Sequence, residues 1–387
     1  MNATATTAEE DRADLEAPQA ILRGSGFAAA APLFAADLDA ATDLHDAGQV
    51  VAAHGRRLWT EAVRHNGEIA DDRPLYWARL TLGARLRTWA PPFTVTAADR
   101  AALSSRLELA SRGHDDLVFP PDERILRVVV TGFDPFLLDD DVRRSNPSGV
   151  GALTLHDATF QVGDRTAVVR TAVFPVRWRD FTGGMVERTL HPHYAPAVGA
   201  MAADAVITVS QGGEGRFDLE AHNGAWRGPR ADNERLTAPG PVPPADGFPA
   251  PEPLPQWTAS TLPRQAIIER AAGRFPIHDN TEVTEVPAGA EEPVVRPDGP
   301  TPGSRARAGG GGDYLSNEIA YRNTLLRDAT ERAIPAGHVH TPVLDLGADD
   351  PAELTDPAFE RDRADIVAQL REIVAASLCG TAEGTTP

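Results

Sequence analysis

Four segments of this chain hold residue types that can do chemistry, each close to the end of a strand-like run or the start of a helix-like one. Thr131-Gly132-Phe133-Asp134-Pro135-Phe136 closes an apolar run and is followed by Asn146-Pro147-Ser148. Gln211 to Asn223 follows a second apolar run and includes Asp218, Glu220 and His222. Asp313-Tyr314-Leu315-Ser316-Asn317 comes directly after the glycine run 309–312, and Ala336-Gly337-His338-Val339-His340-Thr341 is the last. In chain order they supply a carboxylate, a hydroxyl and an imidazole: Glu220, Ser316 and His340. Such a trio suits acyl transfer, with the hydroxyl attacking, the imidazole taking its proton and the carboxylate orienting the ring.

Other chemistries have weaker support. His338 and His340 are two apart on a strand and share a face, so they could ligate one metal in a metal-dependent hydrolase. His191 and His193 flank Pro192 near an expected helix start, where capping or surface roles fit better. Gly213-Glu214-Gly215 follows a strand, but the third glycine of a dinucleotide turn is replaced by Asp218. There is no Gly-x-Ser-x-Gly elbow and no His-Glu-x-x-His helix. The chain contains no lysine, which excludes Schiff-base chemistry and the lysine-dependent phosphate loop. Its one cysteine, Cys379, rules out an internal disulfide or a cysteine-rich zinc site and reads as structural.

The elements that must position these residues are of two kinds. Residues 1–120 read as helical, rich in Ala, Leu and Arg with apolar residues three and four apart, and hold no catalytic constellation; they form an extension that packs on the main domain or on a partner. From Ile125 the texture becomes strand alternating with helix. Ile125–Gly132, Ala167–Val176, Ala205–Ser210 and His338–Leu344 are the strand candidates, with helices at Val186–Asp204 and Pro263–Ala272. This pattern implies an α/β fold with a mainly parallel central sheet between helical layers, a three-layer αβα arrangement over 121–387. Function in such folds collects at the C-terminal ends of the strands. Two Pro- and Gly-rich stretches, about 237–258 and 276–312, read as mobile or extended surface insertions. A C-terminal helix starts at Asp356-Pro357, buries Ile366, Leu370, Ile373 and Leu378, and ends at Gly380.

The four segments together resemble pyroglutamyl peptidase type I, also called pyrrolidone-carboxylate peptidase, over roughly residues 124–346. That family removes an N-terminal 5-oxoproline from peptides. The resemblance implies that Glu220 and His340 occupy the places of the catalytic Glu and His, that Phe133 and Phe136 hold the lactam ring, and that Gln211 lies beside it. It puts Ser316 at the family's cysteine nucleophile, at the start of a helix. Arg230 stands near the position of an oxyanion-binding arginine, with shifted spacing, and backbone amides near Tyr314–Asn317 are the alternative donors. A flat, neutral lactam calls for aromatic walls and a few polar groups.

Ser316 leaves three readings open: a Ser-His-Glu hydrolase, a pyroglutamyl-peptide-binding homologue without turnover, or an engineered Cys-to-Ser change. The resemblance implies no cofactor and no metal, and a peptide or small amide as substrate; oligomeric state is left open. A net charge of −19 argues against nucleic acid as a partner, and no apolar run is long enough for a membrane span. The polar, acidic first residues show no secretory leader, which points to the cytoplasm unless a signal has been removed.

Overall fold

The computed structural model describes residues 6–67, 69–197 and 202–378. Cys379 and Gly380 lie outside the described residues, as do 198–201 within the expected helix Val186–Asp204. The helices are α1 Ala8–Asp11, α2 Glu16–Ser25, α3 Ala30–Asp39, α4 Leu44–Asn66, α5 Arg73–Thr88, α6 Ala97–Ala110, α7 Pro147–Leu155, α8 Trp178–Thr182, α9 Met185–Tyr194, α10 Arg264–Arg270, α11 Leu315–Ala329 and α12 Pro357–Ala376. The strands are β1 Ile125–Phe133, β2 Thr159–Val162, β3 Arg165–Phe174, β4 Ala205–Gln211, β5 Phe217–Glu220, β6 His222–Gly224, β7 Trp226–Arg227, β8 Gly240–Pro241, β9 Trp257–Ala259, β10 Ile277–Asn280, β11 Val283–Val286, β12 Val294–Arg296, β13 Arg305–Ala308 and β14 Ala336–Thr341.

Seven strands form the central sheet in the order β10-β5-β14-β4-β1-β3-β2. Neighbours are parallel except β14 with β5 and β2 with β3. The continuous apolar run of β1 follows from burial on both faces. Leu126, Val128 and Val130 pack with Leu155, Ile366 and Leu370 of α7 and α12, while Val129 and Phe133 pack with Leu190, Leu315 and Ile319 of α9 and α11. Alternation along a strand thus feeds two separate cores.

The C-terminal end of β1 is locked to α7. A Cβ on Gly132 would lie 2.2 Å from the Ser148 carbonyl oxygen, so only glycine lets the helix start come this close. Ser148 Oγ accepts from Phe133 N–H at 3.1 Å, and Asn146 caps the helix while its Nδ2 donates to Asp134 O at 2.8 Å. Asp356 caps α12 as its sequence indicated, accepting from Ala358 and Phe359 N–H, with Pro357 in the first turn.

The N-terminal helices share a core with the sheet domain, where Leu138, Ala152, Leu153 and Val173 join residues such as Trp59, Trp77 and Leu82. Charge is buried along the same contact. Glu9 is fully buried, 3.2 Å from Arg177 and hydrogen-bonded by Tyr76 Oη at 2.9 Å. Burial pushes the Glu108 carboxyl up, but the guanidiniums of Arg177, Arg79 and Arg112 outweigh it and hold it well below the usual carboxylate range. Such pairs add little net stability, yet removing one partner strands the other charge in a dry interior.

Four strands run through 276–312, the stretch read from sequence as a mobile or extended surface insertion. β10 extends the central sheet, and β11, β12 and β13 form a separate antiparallel sheet. Glu285 there is fully buried and accepts from Arg296 and from Thr301, so a polar cluster supplies the order that apolar content did not. The 237–258 stretch contributes only β8 and the start of β9.

Candidate active site

β14 carries both His338 and His340 on one face, their rings edge to face with centroids 4.7 Å apart. His338 is fully buried. Its Nδ1 meets Thr208 Oγ1 and its Nε2 meets Ser210 Oγ, each at 2.8 Å. Burial, and then the neighbouring His340, hold its pKa well below that of an ordinary imidazole, so the ring is neutral, donating from one nitrogen and accepting at the other. Both nitrogens of His338, the weaker candidate for a metal pair with His340, are thus bonded to hydroxyls. Among the described residues no group of three or more His, Cys, Asp or Glu is placed to hold a metal ion.

His340 is bonded differently. Its Nδ1 lies 2.7 Å from Glu220 Oε1, and Glu220 is 1% exposed. The other carboxylate oxygen, Oε2, accepts from Asn280 Nδ2 at 2.9 Å, and the same amide donates to Gly310 O at 2.9 Å. With Nδ1 committed, Nε2 is the nitrogen on the opposite side of the ring. The glycine run explains itself here: a Cβ on Gly310 would lie 2.1 Å from Glu220 Oε2, and one on Gly311 would lie 2.7 Å from His340 Cε1. Backbone lies directly over the pair, leaving no room for side chains.

Ser316 is the second residue of α11. Its hydroxyl donates to Gly311 O at 3.1 Å. The next residue, Asn317, is fully buried and anchors the helix start, donating to Gly224 O at 2.8 Å and accepting from Gly224 N–H at 2.9 Å. The first turn of α11 therefore presents free backbone amides and the positive end of the helix dipole near Ser316.

A cavity of about 690 Å³ opens at the C-terminal ends of β1, β4 and β14, and the seven residues to which the resemblance gives roles line it: Ser316, His340, Glu220, Phe133, Phe136, Gln211 and Arg230. Glu220 and His340 are joined by a hydrogen bond. Phe133 is 3% exposed and stacks on Phe181 with centroids 6.0 Å apart, so its ring belongs mostly to the core. Phe136 is half-buried, 6.4 Å from the Tyr314 ring, and the exposed Arg230 sets its guanidinium 5.6 Å from the centroid of that same ring. Gln211 Oε1 faces Leu344 N–H at a long 3.5 Å.

Of the remaining sequence candidates, His338, His191 and His193 lie outside the cavity, while Gly213 lines it. His191 and His193 occupy the end of α9 rather than a helix start; His193 is buried, its pKa brought down to about 4 by burial, and His191 packs against Phe248. Gly213-Glu214-Gly215 forms a turn between β4 and β5 with no helix after it, which is not a dinucleotide loop. Asn280, Arg144 and the Arg216–Asp218–His278 cluster line the cavity and were not singled out as site residues. Asn280 arrives through long-range pairing of β10 with β5, for which no local pattern exists.

Fold and site define a mostly parallel α/β protein with a cavity at its strand ends and flanking N-terminal helices. The chain belongs to the PA0049 family: the model of the PA0049 N-terminal domain matches residues 1–108, and that of the C-terminal domain matches residues 127–250 and 271–345. An uncharacterized protein of Pseudomonas aeruginosa, PA0049, is 34% identical over 92% of this chain and 83% of its own length. Among solved structures, a mutant pyrrolidone carboxyl peptidase from Pyrococcus furiosus is similar with a TM-score of 0.43 and 20% identity, covering 65% of this chain and 97% of that one. Pyroglutamyl peptidase I from Bacillus amyloliquefaciens is similar with a TM-score of 0.41 and 18% identity, covering 67% and 98%. No helix among the described residues is long and apolar enough to cross a membrane.

Proposed function

We propose that this chain is a hydrolase that cleaves the amide after an N-terminal 5-oxoproline, with Ser316, His340 and Glu220 as its triad. The supporting observation is the Glu220–His340 hydrogen bond at 2.7 Å on the wall of a cavity that Ser316 also lines. Glu220 holds the ring so that Nδ1 carries its proton toward the carboxylate and Nε2 is the basic nitrogen. His340 takes the Ser316 proton as the oxygen attacks the acyl carbon. It then gives that proton to the departing amine, and water hydrolyses the acyl enzyme by the same route. Amides of the first turn of α11 and the Arg230 guanidinium are the donors for the oxyanion. Phe136 and the edge of Phe133 flank the lactam, with Gln211 for its polar edge. On this reading the chain is a three-layer αβα domain from about 121 to 387 behind a helical region of about 120 residues. It acts on peptides or small amides in the cytoplasm, without metal or cofactor.

A second reading, a pyroglutamyl-binding protein without turnover, draws on one contact: the Ser316 hydroxyl donates to Gly311 O instead of toward His340. Hydrolysis of a fluorogenic pyroglutamyl amide by the unmodified protein and by Ser316→Ala decides between them. Turnover lost in the variant supports the triad. Equal background rates with retained binding of pyroglutamate would leave the binding protein.

A further inference from the structure

The wall of the cavity that carries Phe133, Phe136, Arg144 and Asn146 is the connection from β1 to α7, and from Asp134 to Asn146 it contains neither helix nor strand. Such a segment must satisfy its backbone and hold its shape through contacts from outside. The contacts come largely from the N-terminal region. Arg79 Nη2 and Arg112 Nη1 lie 2.9 and 2.6 Å from Asp134 Oδ2. Asp72 accepts from Ser145 Oγ at 2.5 Å and from Asn146 N–H at 2.9 Å. Arg12 pairs with Asp139 at 2.8 Å, and Arg73 Nη1 donates to Arg143 O at 2.9 Å. The Pro135 carbonyl accepts from Asn233 Nδ2 at 2.9 Å, and that amide also reaches Glu9 Oε1 and Tyr76 Oη at 3.3 Å. Among the described residues, no lining residue of the cavity precedes Phe133.

We propose that the N-terminal helices are the mould of the substrate-binding wall, with Arg79, Arg112 and Asp72 as positioning residues that set where the aromatic pair stands and therefore which acyl group fits. The proposal rests on the reading of this cavity as the lactam site. The helices act through Asp134 and the Ser145–Asn146 pair, one at each end of the irregular segment. Asp134 directly follows Phe133, so its ion pairs anchor the backbone that carries the ring. Catalytic groups on α11, β5 and β14 do not touch these anchors, which separates binding from chemistry.

The test uses the full chain with Asp134→Asn, and Ser145→Ala as the milder change in case the first does not fold. Hydrogen exchange followed by mass spectrometry should show residues 133–146 exchanging about tenfold faster in a folded variant, with α11 and β14 unchanged. On a pyroglutamyl amide, KM should rise about tenfold while kcat stays within about twofold, because charge-assisted contacts that hold the binding wall are lost and none of the reacting groups is touched. Unchanged exchange at 133–146 overturns the mould, as does a fall in kcat with KM constant. If the unmodified protein neither binds nor cleaves the amide, the lactam reading fails, and the exchange measurement still decides whether the helices hold the wall.

Discussion

His340 Nδ1 and Glu220 Oε1 meet at 2.7 Å although the β14–β5 ladder sets Glu220 opposite His338 and Asp218 opposite His340. The carboxylate reaches diagonally, and the His338 ring is held by hydroxyls on both sides. Of two adjacent histidines on one face, only one is thereby coupled to the carboxylate. Glu220→Gln should keep the fold and lower kcat of pyroglutamyl amide hydrolysis by roughly 10³–10⁴-fold, because an amide can favour the wrong tautomer of His340. A loss no greater than that of a surface substitution in steady-state assays would remove Glu220 from the triad.

Ser316→Cys should raise turnover by about tenfold or more, since a thiol at a helix start ionises more readily than a hydroxyl and attacks without concerted proton removal. Side-by-side progress curves for the two proteins, together with thiol alkylation against pH, measure this directly. A cysteine variant with an ordinary thiol pKa and no added activity would count against the site.

Gly310→Ala places a Cβ where Glu220 Oε2 stands, at 2.1 Å. The carboxylate or the loop must move, and displacement on the order of 1 Å should cost about 10²-fold in kcat. Thermal unfolding beside the kinetics separates this from global damage: the prediction is a large kinetic loss with a small change in Tm.

Asn280→Ala removes one hydrogen bond to Glu220 and one to Gly310 O, so kcat/KM should fall about tenfold without loss of the His340–Glu220 bond. An effect on activity as large as that of Glu220→Gln would mean that β10 does more than steady the carboxylate.

Burial, and then the Asp71 carboxylate, push Asp72 up to about 7 from 3.8. Between those values the folded chain binds this proton more tightly than the unfolded chain does, so stability from this group is greatest at low pH and is lost as pH rises toward 7. Asparagine at 72 does not titrate. From pH 5 to pH 8, Asp72→Asn should therefore gain on the unmodified protein by roughly 1–3 kcal/mol in urea unfolding. Parallel stability curves would show that Asp72 is ionised throughout.

The buried parallel strands β1, β3 and β4 were legible within a few residues because their Val-rich runs serve burial on two faces, whereas β14, Ala336–Thr341, has one Val and was placed two to three residues late. The seven candidate residues line one cavity, and all but Arg230 come from segments that end strands or start a helix. What escaped was long-range. β5 spans only Phe217–Glu220 and β10 only Ile277–Asn280, too short and too polar for a periodic signal, and their pairing depends on neighbours distant in sequence. Nothing in the sequence marks Glu9, Arg79 and Arg112 for burial, because a helical pattern shows which residues are polar and not which will find a buried partner.

Glu9 accepts from Asn233, 224 residues further along, and from Arg177 between them. During synthesis the ribosome releases α1 long before either partner, and a carboxylate without its cations stays in water. The hydrogen bonds that bury Glu9 are therefore complete only once the chain beyond Asn233 has been made.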